Sequence, residues 1–274
     1  MYIETKPYKV FKVLNYIVLT LLALITFLPF WYVLVVSLNS GGDFSRGGVF
    51  FWPRAFTIGN YRSALNDEAM IRSIFISVFT TGTLIAISLF FTSMLSYALA
   101  IKTLPGRKGI TLFYYFTTIF SGGIVPYYLM LRDLGFTKSI WLFVIPFIYN
   151  FFNTVLLRTA FEDVHHELRE AAQIDGAGEL RILFTIYLPC ALPTVATVAL
   201  FVGVTSWNDW FTGVYYQLDK TLYPVATMLQ QFTAGQPNPR KMAYLMVSII
   251  PIIAVYPLIQ KYYVNGIMLG SVKG

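Results

Sequence analysis

Side chains able to do covalent, acid–base or metal chemistry are sparse in this sequence. His165, His166 and Glu167 stand in a row as "HHE". Adjacent residues on a helix do not face one another, so the triplet makes a poor metal cage. Cys190 is the only cysteine, which rules out an intrachain disulfide. A lone cysteine beside an apolar run reads as a small packing residue rather than a nucleophile. No G-x-S-x-G, H-E-x-x-H or G-x-x-x-x-G-K-[ST] pattern occurs, so neither a hydrolase nucleophile nor a phosphate-binding loop is present. One stretch gathers charge, two glycines and a terminal proline. It is "EAAQIDGAGELRILFTIYLP", from Glu170 to Pro189.

The elements that position this stretch are apolar. Of 274 residues, 57% are hydrophobic and 12% are charged, where soluble domains carry about 25% charged residues. That deficit makes lipid the solvent. The net charge of +7 is spread between apolar runs, as on the solvated flanks of a membrane protein, and does not indicate nucleic-acid binding. A helix crosses the hydrocarbon core in about 20 residues. Six runs fit: 13–38, 71–101, 109–131, 140–157, 190–207 and 242–260. The first is too long for a signal-peptide core and is predicted to be an uncleaved span. Prolines 29, 126, 146, 251 and 257 fall within spans, where neighbouring helices can satisfy the freed backbone. The short loop "KTLPGRKG" carries three basic residues and no acid, which favours the cytoplasmic side. Six spans then place both termini in the cytoplasm. The long segment 39–70 is expected to fold against the opposite membrane surface. Residues 223–232 are expected to form a short interfacial helix. The chain reads as one all-α membrane domain, 1–274.

No Asp, Glu, Lys, Arg or His falls in the central part of any span. Ion-driven carriers and pumps place ionisable groups at that depth. With no proton-carrying carboxylate and no nucleotide loop, any uphill work must be powered by another subunit.

The segment 162–189 reads as a device between spans four and five. Its opening acids suit a helix N-terminus, and Glu, Leu, Arg and Ala propagate a helix. Leu168, Ala171, Ala172 and Asp175 lie at i, i+3, i+4 and i+7, with the alanines keeping that side low enough for another protein to approach. Gly176 and Gly178 permit a turn. "ELRILFTIYL" resumes as a second, more apolar helix at the interface, and Pro189 stops or kinks it. On physics alone two readings stand open: an element that transmits motion from a partner, and an amphipathic hairpin with no partner.

The same residues carry a resemblance. Glu170, Ala171 and Ala172, then Gly176 and, after nine residues, Ile186, Leu188 and Pro189 match without departure the E-A-A…G…I-x-L-P loop of ABC importer permeases. Ile174, Asp175, Gly176 and Ala177 resemble the carbohydrate-uptake branch. The C-terminal "QKYYVNGIMLGSVKG" resembles the smaller permease of maltose-type importers. "GGIVPYYLMLRDLG" and "GSVKG" resemble most the subgroup serving complex oligosaccharides.

The resemblance implies a type I importer fold of six transmembrane helices in the bacterial plasma membrane. It implies a heterodimer with a second, homologous permease, two cytoplasmic ATPase subunits and an extracellular sugar-binding protein. ATP and Mg would be bound by the ATPases, so this chain is expected to need no cofactor and to catalyse nothing itself. In this family the loop's helix enters a cleft on the ATPase. The expected coupling residues are Glu170, Ala171, Ala172, Asp175, Gly176, Leu188 and Pro189. The tail Gly270, Ser271, Val272, Lys273 and Gly274 is expected to touch the ATPase dimer. Aromatics and amides suit sugar, which offers CH faces and hydroxyls. Tyr149, Asn150, Asn153, Trp207, Asn208 and Asp209 are therefore candidate pathway residues. The alternatives are helix–helix bonding for the polar ones, interfacial anchoring for Trp207 and a binding-protein contact for Asp209. The competing function is an ion-coupled or passive transporter of small polar solutes.

Overall fold

The computed structural model describes residues 6–48, 51–232, 235 and 237–271, with side chains from residue 10 to residue 255. Among these residues the fold is helical, without a strand, and one isolated bridge pairs Asn39 with Phe56. The chain forms two compact units, Met1–Met70 with Phe232–Ile250 and Ile71–Gln231 with Pro251–Gly274.

In the first unit, the 32-residue helix Lys6–Ser37 is largely apolar beyond Lys12, and every side chain from 10 to 30 is exposed. A helix apolar all round finds its solvent in lipid or against other helices. Beyond it, the buried Asn39 organises a loop. Its amide donates to Asp43 at 2.9 Å, and its oxygen accepts from the Ala55 N–H at 2.9 Å. Arg54 reaches Asp43 at 3.0 Å. The hydrogen bond from Asn39, with Arg54 beside it, holds the Asp43 carboxyl below its usual range. These polar contacts order part of the segment 39–70.

Among the described residues two helices are long and apolar enough to cross a bilayer unaided, Val10–Ser37 and Glu68–Ala100. The third, fourth and fifth expected spans are not single straight helices. Arg107–Ile119 and Ile124–Asp133 meet at 111°. Gly122 and Gly123, the latter with φ +91°, break the chain there ahead of Pro126. Ile140–Phe147 and Phe151–Glu162 meet at 49°. There Asn150 caps the second helix, its side-chain oxygen accepting from the Asn153 N–H at 3.1 Å. Glu179–Cys190 and Leu192–Trp207 meet at 89°, between Pro189 and Pro193. The sixth run lies within a longer helix, Pro239–Ser271. The expected short helix near 223–232 is Val225–Phe232.

The second unit's core joins Leu84 and Tyr97 of the Glu68–Ala100 helix to Leu157 and Phe161, to Ile182, Leu183 and Tyr187, and to Val198 and Val202. This core supports the segment that follows Glu162.

Candidate functional site

The helix His166–Ile174 is nine residues long and stands on the second unit's core. Its C-terminus is a paired cap. The Gly176 N–H donates to the Gln173 carbonyl at 3.0 Å, and the Ala177 N–H to the Ala172 carbonyl at 2.9 Å. These are the two bonds of a Schellman motif, and they require the left-handed backbone at Gly176, φ +78°. Ala172 and Ala177, the apolar pair beside the cap, pack against the core.

The expected outward stripe therefore divides. Ala172 faces inward, because the cap presses it onto the core, and the outward face is Glu167, Glu170, Ala171 and Ile174. Ile174 is 86% exposed. Glu170 is exposed and makes no hydrogen bond or ion pair among the described residues. Leu168 and Asp175 are also exposed.

The opposite face is fastened by a polar cluster that sequence reading missed. Arg169 and Gln173, one turn apart, both reach Glu179: the Arg169 Nη2 at 2.6 Å and the Gln173 Nε2 at 2.9 Å. Arg169 Nε also donates to the Tyr97 hydroxyl at 3.2 Å, and that hydroxyl donates to Glu179. Tyr97 is buried, with its ring edge-on to Tyr187 at 4.8 Å. Arg169 and Glu179 are partly exposed, so the pair is worth at most about 1 kcal/mol. Its larger effect is geometric, fixing the helix to two others at one point.

The second helix of the loop does not end at Pro189. Residues Leu183–Tyr187 widen into a π-turn, with the Leu188 N–H bonded to the Leu183 carbonyl. A proline crowds the carbonyl four residues before it, here that of Thr185, which lies within the widened turn. The chain bends instead at Ala191. Leu188 is half-buried against the core and Pro189 is exposed.

The candidate pathway residues are partly brought together. Tyr149, Asn150, Asn153 and Asp209 line one cavity with Thr80, Leu84 and Ser206. Trp207 and Asn208 do not line it, and the Asn208 amide is spent on the Val204 carbonyl at 2.8 Å. Thr80 and Tyr97 lie on the same helix, 17 residues apart, which separates cavity and polar cluster by about 25 Å. Gly270 and Ser271 close the last helix, and Val272, Lys273 and Gly274 lie outside the described residues. Among the described residues no group of three His, Cys, Asp or Glu side chains is arranged to hold a metal.

The braced helix lies between two bent apolar elements, and the class to which this arrangement belongs is that of membrane transport components. Residues 108–268 match the family described as "Binding-protein-dependent transport system inner membrane component", and the chain belongs to that family. It is 35% identical to the permease protein YtcP of the polygalacturonan/rhamnogalacturonan transport system of Bacillus subtilis (strain 168), covering 97% of this chain and 99% of the relative. It is 34% identical to the protein LplC of the same organism, covering 99% and 97%. A chain of a bacterial ABC transporter involved in the import of the acidic polysaccharide alginate superposes with a TM-score of 0.88 at 29% identity, covering 96% of this chain and all of that one. The all-helical importer fold expected from the sequence is the fold observed.

Proposed function

We propose that this chain is the permease subunit of an ATP-driven importer that takes up oligosaccharides delivered by an extracellular binding protein. Six spans place both termini in the cytoplasm. A second, homologous permease completes the pathway, and two ATPase subunits bind ATP and Mg. The observation that carries this reading is the His166–Ile174 helix, which leaves Glu170 unpaired on its outer face while Arg169 and Gln173 secure the inner face. The names of the relatives, which are polysaccharide and oligosaccharide transport proteins, support the substrate class.

In this mechanism the outer face, Glu170 with Ala171, sits in a cleft of one ATPase subunit. Gly176 and Asp175 end the helix and set its angle. ATP closes the two ATPases, and the helix moves with one of them. The polar cluster passes that movement to the Glu68–Ala100 helix, while Leu188 and Pro189 carry it into the bent element ending at Trp207. The pathway opens outward to receive sugar, and hydrolysis restores the inward-facing state. ATP and the loaded binding protein drive the cycle only through their unequal affinity for the two states. The tail from Gly270 to Gly274 makes a second ATPase contact.

Glu170→Lys tests the assignment. Membrane insertion should be unchanged, co-purification of the ATPase should fall at least tenfold, and uptake should be lost. Full uptake by this variant removes Glu170 from the coupling role. Uptake that continues after the ATPase genes are deleted overturns the importer reading as a whole.

A further inference from the structure

The second unit contains a cavity of about 580 Å³, within the range of small-molecule sites, roughly 300–1,000 Å³. Its wall combines two chemistries. Tyr149 and Phe152 present exposed aromatic surface. Asn150, Asn153, Ser206 and Asp209 present polar groups to the same space.

Asn153 is the informative residue. It is only 5% exposed, and its side-chain amide has no hydrogen-bond partner among the described residues. The residue is packed in while its amide still reaches the cavity, so its donor and acceptor are left for whatever fills that space. Its neighbours are partly committed. Asn150 gives its oxygen to the Asn153 N–H, which leaves its NH₂ free to donate. Asp209 accepts the Thr212 N–H at 3.0 Å through one oxygen, which leaves the other oxygen to accept. Ser206 shares a 3.1 Å hydrogen bond with Thr81. Among the described residues no Lys, Arg or His lines the cavity.

Aromatic faces beside mixed donors and acceptors match a ring that has CH surface and several hydroxyls. A carboxylate in a wall without a lining cation among the described residues opposes an anionic ring, since like charges brought together are unfavourable. We infer that this cavity holds one uncharged, hydroxylated sugar ring of the transported oligosaccharide, and that Asp209 rejects rings bearing a carboxylate. This rests on the permease reading and assigns to this subunit a direct contact with substrate and a share in its selection.

The test uses the assembled permease–ATPase complex in nanodiscs, without the binding protein. The probes are trigalacturonate and its fully methyl-esterified form, which share a backbone and differ in charge. Equilibrium titration should show the ester binding at least tenfold more tightly than the acid. Asp209→Asn should narrow that ratio to less than threefold. Asn153→Leu, similar in volume and without the amide, should weaken the ester at least tenfold while ATPase co-purification is unchanged. Equal or tighter binding of the acid by the parent complex, failure to bind either probe, or an unaltered ester affinity in Asn153→Leu each overturns the inference. The permease reading survives such a result if the ATPase still co-purifies and uptake still requires it.

Discussion

Arg169, Glu179 and Tyr97 show why a residue can matter more to motion than to stability. The ion pair is part-exposed, and solvent screens it. Arg169→Met should therefore cost no more than about 1 kcal/mol, a melting shift of a few degrees for a unit of this size. Uptake driven by ATP should nevertheless fall at least tenfold, because the helix holding Glu170 loses one of the groups that fix it to the Tyr97 helix. ATP hydrolysis by the complex should continue, and the ratio of sugar moved to ATP consumed is the quantity that drops. A structural role alone would lower assembly and hydrolysis together. Glu170 itself was legible in the sequence, since it opens a local pattern that ends at Pro189. The residues that hold it were not. Arg169 and Tyr97 are 72 positions apart, and Tyr97 and Glu179 are 82 apart. No local period connects them, and a tyrosine near the end of an apolar run has the ordinary look of an interfacial anchor.

At the scale of elements, the turn after the coupling helix depends on backbone more than on space. A Cβ at Gly176 would meet nothing within 4 Å, but φ is +78°. The left-handed conformation costs an ordinary L-residue about 1–2 kcal/mol, and asparagine tolerates it best. Gly176→Val should accordingly unravel the cap bonds to Gln173 and Ala172 and reduce ATPase co-purification several-fold. Gly176→Asn should retain most of it. Faster hydrogen exchange at the Gly176 and Ala177 amides in the valine variant, and not in the asparagine one, would locate the defect in the cap. The glycine and the helix before it were readable, because propensity, acids at the start and glycine at the end all agreed. The bends at 120–123, 148–150 and Ala191 were harder. Hydropathy counts apolar residues without regard to direction, and glycine and proline are common in membrane helices that do not break. Glu68–Ala100 is one unbroken helix over the expected run 71–101, and no glycine–proline cluster interrupts it. Only Gly82 lies within it.

For the molecule as a whole, the apolar composition pointed to the membrane class, and the expected spans carry no ionisable group in their central parts. The placement of cavity and polar cluster on one continuous helix was not in the pattern, since it depends on which long-range contacts form. That placement sets the final expectation. If movement at the His166–Ile174 helix is passed along Glu68–Ala100 to the cavity, nucleotide and sugar must influence each other's binding. Linkage requires the two effects to be equal, with factors of about 5–150 typical of allosteric pairs. In the assembled complex, a non-hydrolysable ATP analogue should change the affinity for the methyl-esterified trigalacturonate by a factor in that range. The sugar should change the affinity for the analogue by the same factor. In Arg169→Met the two affinities measured singly should stay near those of the parent, and the factor should fall towards one. A factor near one in the parent would show that the braced helix does not communicate with the cavity. A factor that survives in Arg169→Met would move the connection to another route, with the bent element from Glu179 through Ala191 to Trp207 as the next to be tested.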